Sequence, residues 1–282
     1  MPKKKPTTRS PITSHPVRDP GQSLRELRLD LFEDYLLFPL LMVAAGIVVA
    51  IVQWMQYLSN SPPHPWLWTA FLFAALVFFA YRFIKVLPKL KRLRQGAEGE
   101  RAVGQYLERL REQGYQVFHD IIGDGFNVDH VLIGPAGVFT VETKTWSKPA
   151  KGEARIQFDG KSIRVGGREP DRSPLIQASA QAGWLRALLE ESTGIRPSVR
   201  PVVVFPGWYI DSQNASSSPV WVLNPKALPT YLANAPEVLS PDKVKMMSYN
   251  LSRFIRNTER ELEVQRRSFW NAMKPKKSKF EI

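Results

Sequence analysis

The chain has no cysteine, which excludes disulfide staples and any cysteine-ligated zinc. Histidine is nearly as scarce. His15, His64, His119 and His130 are the four in 282 residues, and no two stand at metal-binding spacing. Charge is missing altogether from Leu36 to Tyr57 and again from Trp66 to Tyr81. A membrane span needs about 20 predominantly apolar residues, and both stretches reach that length with their flanks. Both are apolar all round, with Trp54, Tyr57, Trp66, Trp68 and Tyr81 near their ends, where interfacial aromatics sit. These features argue against the buried helices of a soluble core and for a transmembrane hairpin over 35–87. Neither stretch holds an ionisable group at its middle, so transport through it has little support.

The formal net charge is +13, but it is unevenly spread. Residues 1–81 contribute +2, 82–95 contribute +6, 96–258 contribute +2 and 259–282 contribute +3. The basic excess follows the second apolar run as Arg82, Lys85, Lys89, Lys91, Arg92 and Arg94. Lys3, Lys4, Lys5, Arg9, Arg18, Arg25 and Arg28 precede the first, while the turn SNSPPHP carries no Lys or Arg. Positive flanks on both sides of an uncharged turn place both termini in the cytoplasm, with a bacterial inner membrane as the host. The juxtamembrane segment Arg82–Arg94 also suits anionic lipid head groups.

Residues 1–34 read as a basic disordered tail followed by a short helix. The tail, 1–23, is rich in Pro, Ser, Thr and Lys. Leu24, Leu27 and Leu31 fit either an amphipathic helix on the membrane surface or a lead-in to the first span. Residues 88–95 form a basic linker, 96–258 a soluble α/β domain, and 259–282 a charged helix end with a basic tail.

Within the soluble domain, Ala97, Val103, Leu107 and Leu110 make the apolar stripe of a helix ending at Gly114. Tyr115–Ile122 is a strand, on which His119 and Asp120 read as ordinary strand residues. The segment NVDHVLIGPAGVFTVETK, residues 127–144, has apolar runs either side of Gly134, Pro135 and Gly137, the punctuation of a hairpin. Alternation along its second strand projects Glu142 and Lys144 from one side, and pairing brings Asp129 beside them. His130, next to Asp129, turns to the opposite face as a packing or solvent-facing residue. A second hairpin is centred on Asp159-Gly160. Its Arg155, Lys161 and Arg164 fit a solvated edge better than a substrate contact. Ser173-Pro174 starts a helix that carries Gln177, Gln181 and Trp184 on one face. RPVVVF, 200–205, is a buried strand, and a helix runs from Pro241 through Arg256 or beyond.

The order Gly99-Glu100, Asp129, Glu142-Thr143-Lys144 and Gln177 resembles the nuclease-related domain (NERD), a branch of the PD-(D/E)XK nuclease superfamily, over residues 96–210. The resemblance implies a restriction-endonuclease-like mixed sheet flanked by helices, here behind a two-helix transmembrane hairpin. It implies Asp129 and Glu142 as ligands of Mg2+ (or Mn2+), hard-oxygen donors suited to a hard cation. Lys144 is implied to activate water and stabilise charge, Gln177 to orient the centre, and Glu100 to assist. For Glu100 a structural role in the helix stands as an equal alternative. Many superfamily members carry Pro-Asp where this chain has Val128-Asp129, which keeps the carboxylate. The implied function is metal-dependent hydrolysis of nucleic-acid phosphodiesters at the cytoplasmic membrane face, with DNA favoured over RNA. The alternative is a non-catalytic, membrane-tethered module binding nucleic acid or protein, consistent with the near-neutral charge of 96–258.

Overall fold

The structure is a computed structural model and describes residues 18–59, 65–149, 153–170, 173–212 and 215–273. The tail through Val17, the turn at 60–64 and the closing KPKKSKFEI lie outside the described residues. Two compact units divide the chain: Gly21–Arg101, and Met1–Pro20 joined with Ala102–Ile282.

The first unit is helical. Helix α1 (Gln22–Phe32) starts at Gly21, which has φ 67°, a value that favours glycine. A Cβ at Gly21 would also stand 3.0 Å from the Ala97 carbonyl oxygen. A π-turn (Glu33–Leu37) joins α1 to α2 (Phe38–Leu58), and α3 spans Pro65–Leu107. Two helical stretches, Gln22–Leu58 and Trp66–Gln113, are long and apolar enough to cross a membrane. At Gly46 the two helices approach so closely that a Cβ would meet Leu72 at 3.1 Å. The basic linker expected at 88–95 lies within continuous helix, which Pro88 does not break. Leu90 and Leu93 alternate there with cations at helical spacing, so the local sequence supports a helix as readily as a linker.

In the second unit α3 ends through a 3-10 turn (Glu108–Gln113) capped by Gly114 at φ 83°. Three strands follow in an antiparallel meander: β1 (Gln116–Ile122), β2 (Asn127–Gly134) and β3 (Gly137–Thr143). A small hairpin comes next, β4 (Arg155–Phe158) and β5 (Ile163–Val165). Its turn is closed by Asp159, which accepts from the amides of Ser162 and Lys161; those bonds hold its carboxyl at about 2. After α4 (Pro174–Thr193), β6 (Val199–Val204) adds in parallel to β3. Next come β7 (Tyr209–Ser212), β8 (Trp221–Leu223), α5 (Leu228–Ala233) and α6 (Pro241–Met273).

The main sheet has the order β1-β2-β3-β6-β8, mixed in direction; β5-β4-β7 form a second sheet. One face of the main sheet packs Val131, Ile133 and Val138 against Leu185 and Leu189 of α4 and Met247 and Leu251 of α6. The other packs Leu132, Phe139 and Val141 against Val103 and Leu107 of α3 and Leu228 of α5. The outcome is the mixed α/β architecture expected from the sequence, with β7 in addition.

Arg18 departs from the disordered tail assigned to it. It is buried, its Nε and Nη2 donate to Asp120 Oδ2 at 3.1 and 3.0 Å, and its Nη1 donates to Glu259 of α6. Removing one member of such a cluster strands the other charges in a dry site. Arg18→Met is expected to destabilise the folded unit by about 3–5 kcal/mol, read from chemical denaturation of the full chain.

Candidate active site

The β2–β3 register pairs His130 with Val141, so one step further along the ladder Asp129 stands opposite Glu142. At that point the backbone ladder gives way to a side chain. The Thr143 amide donates to Asp129 Oδ2 at 2.7 Å. Glu142 points toward α4 and is almost fully buried, a costly position for a carboxylate without donors. It has three. Lys144 Nζ and Gln177 Nε2 donate to Oε1 at 2.5 and 2.7 Å, and Gln181 Nε2 donates to Oε2 at 2.6 Å. Lys144 Nζ also donates to Gln177 Oε1 at 2.9 Å, closing a triangle of carboxylate, ammonium and amide.

The elements fix this triangle for plain reasons. β3 is buried on both faces between β2 and β6, so its end cannot drift, and the Lys144 amide is tied to Val204 O at 2.9 Å. α4 runs beneath with Pro174 in its first turn, and the i, i+4 spacing of Gln177 and Gln181 presents both amides to one carboxylate. Thus Glu142, Lys144 and Gln177 meet as expected, with Asp129 across the ladder. Glu100 is buried on α3 and belongs to the unit Gly21–Arg101; its assignment rests on the resemblance alone. The role of Gln181 was missed, although its spacing from Gln177 carried the signal.

Further polar links converge here. Gln181 Nε2 also donates to Asn127 O at 2.9 Å, and Asn127 Nδ2 donates to Asp120 Oδ1 at 3.4 Å. Asp120, read from the sequence as an ordinary strand residue, has φ 49° and binds Arg18. Aspartate is among the residues that tolerate this left-handed conformation.

On the other face of the sheet, His130 is fully buried, as expected of a packing residue, but it is not merely packed. Its Nδ1 lies 2.9 Å from His119 Nδ1, and its Nε2 lies 3.3 Å from Thr143 Oγ1. His119 Nε2 meets Glu108 Oε1 at 2.8 Å. Glu108 also accepts from Arg111, whose guanidinium holds its carboxyl below the usual range. Burial pushes His119 below its ordinary 6.5 despite Glu108, because that carboxylate is half exposed and shared with Arg111. Burial, then the neighbouring His119, drives His130 well below the same value.

A family model for the nuclease-related domain matches residues 95–206. The chain carries a nuclease-related domain. An uncharacterized protein of Bacillus anthracis is 37% identical over 67 residues, which cover 22% of this chain and 30% of the relative. No solved structure matches the chain. The match to the nuclease-related domain spans every candidate residue from Glu100 to Gln177, and also Gln181, His119 and His130.

Among the described residues no three His, Cys, Asp or Glu side chains cluster as a metal cage. The oxygen set is instead two carboxylates opposite each other, the set Mg2+ uses when waters and substrate phosphate complete its shell. Gln181 Oε1, buried beside Glu142, accepts from no donor among the described residues, as suits a neighbour of ordered water. The residues therefore fit a hydrated hard cation.

The histidine pair sets a pH limit. Both imidazoles are depressed in the folded protein, so below 6.5 the unfolded chain binds more protons. Their contribution to stability is complete above that pH and is lost as pH falls through it toward the folded-state values. The melting temperature is expected to fall on acidification below 6.5, and the double variant His119→Gln/His130→Gln to flatten that limb, measured by thermal scans across pH.

Proposed function

We propose that the nuclease-related domain hydrolyses nucleic-acid phosphodiester bonds with a divalent cation held by Asp129 and Glu142. The observation that carries this reading is the Glu142–Lys144–Gln177 triangle, closed at 2.5 to 2.9 Å, with Asp129 opposite on the paired strand. Such a cation, when bound, supplies Lewis-acid neutralisation at the phosphate and acidifies water. The protein's share is orientation and fixed charge. An ammonium has three N–H bonds, and Lys144 spends two on Glu142 and Gln177. The third is available to a phosphate oxygen or to the attacking water, where the positive charge stabilises developing negative charge. Gln177 both accepts from Lys144 and donates to Glu142, which fixes its amide orientation and keeps the ammonium from swinging away. For Glu100 an assisting role rests on the resemblance alone.

Glu142→Gln and Lys144→Met are each expected to lower Mg2+-dependent cleavage of DNA about 100-fold or more with folding retained, as seen by circular dichroism. Full activity in both variants would sink the mechanism. The near-neutral charge of residues 96–258 favours one competing reading, a tethered module that binds without cutting. Metal separates the two: loss of substrate only when Mg2+ or Mn2+ is added marks the enzyme.

The same proposal places the domain at a membrane, with both termini cytoplasmic. Two apolar helices support it, as do cationic residues on both flanks of the pair. The natural absence of cysteine makes the test clean. Ser59→Cys is expected to react with an impermeant maleimide in intact spheroplasts, and Ser268→Cys only after lysis; the reverse pattern inverts the topology.

A further inference from the structure

The buried histidines His119 and His130 have no part in the chemistry just described, yet all four of their ring nitrogens are engaged, at 2.8, 2.9 and 3.3 Å. Two imidazoles in a dry interior are an expensive way to fill space, and apolar side chains would serve better. Their hydrogen bonds also run in one determined direction. A carboxylate only accepts, so His119 Nε2 must donate to Glu108. In a neutral ring that leaves His119 Nδ1 as acceptor, so the facing His130 Nδ1 donates to it. His130 Nε2 is then an acceptor, and the Thr143 hydroxyl donates to it. Thr143 lies between Glu142 and Lys144, and its own amide holds Asp129.

We infer that His130, oriented by His119 and Glu108, is a positioning residue that fixes Thr143 from beneath the sheet and thereby sets Asp129, Glu142 and Lys144. The inference rests on the reading of those three as the reacting centre. His130 touches neither substrate nor reacting atoms. Its action passes through one peptide unit whose side chain faces one side of the sheet while its neighbours Glu142 and Lys144 serve the other. The directed chain has a signature that packing alone does not produce: His130 in the less common Nδ1–H form and His119 in the Nε2–H form.

The test uses the full chain, in detergent and labelled with 15N-histidine, whose four histidines give four resolvable ring patterns. Nitrogen shifts are expected to assign Nδ1–H to His130 and Nε2–H to His119; Nε2–H on both rings overturns the inference. Local exchange supplies the second readout. His130→Leu is expected to speed exchange of the Thr143 amide about tenfold, the worth of one hydrogen bond. His130→Gln retains an acceptor and should stay within about twofold of the parent. Equal exchange in the two variants also overturns it. If the parent protein cleaves, kcat should fall in His130→Leu and recover in His130→Gln, with KM unchanged. If it does not cleave, the proposed function fails, while the ring tautomers and the exchange rates still decide the role of His130.

Discussion

The register of β2 against β3 is the constraint on which the rest of the centre depends. Strands alternate with a period of two, so a slip of one residue would carry Glu142 to the face of α3 and Val141 to the face of α4. Neither face would tolerate the exchange. Val138 on one side and Phe139 and Val141 on the other are each buried in a separate apolar layer. The packing of both layers therefore selects the one register that sets Asp129 opposite Glu142. Apolar burial, not attraction between polar groups, is what assembles the charged site.

Once the register is set, the two faces of the sheet divide the work. On the α4 face the amides of Gln177 and Gln181 and the ammonium of Lys144 saturate a carboxylate that burial alone would disfavour. On the α3 face two histidines lie beneath the same turn of strand. Thr143 joins the two, since its backbone serves one and its side chain the other. Glu142 and His130 are the buried members of the two networks, and a bond lost at either costs more than its exposed counterpart.

Much of this was legible in the sequence because the signals are local. The hairpin was marked by Gly134, Pro135 and Gly137, the Glu142–Lys144 pairing by strand alternation, and Gln177 by its place just inside a proline-started helix. The shared helical face of Gln177 and Gln181 was legible too, but not the contact of Gln181 with Glu142 that follows from it. What escaped notice depends on distance along the chain. His119 and His130 meet only through the β1–β2 register, and neither carries a local mark that separates a bonded pair from two strand histidines. The cations of the basic linker 88–95 suit a solvated connector and a helix equally, so its helical form was not marked. β7, a short half-exposed strand, lacks the apolar run by which strands announce themselves.

Arg18 has a consequence for the order in which the molecule is made. Its partners lie 102 and 241 residues further along, on β1 and α6. A chain emerging from the ribosome presents this guanidinium before the apolar hairpin, and keeps it in water while that hairpin is synthesised. Asp120 arrives next, and Glu259 only near the end. The unit that holds both partners therefore cannot close around Arg18 until Glu259 has been made. Long-range closure of this kind is slow and comes late, so the helical pair is finished first and the folded domain is completed around a residue that was translated before either.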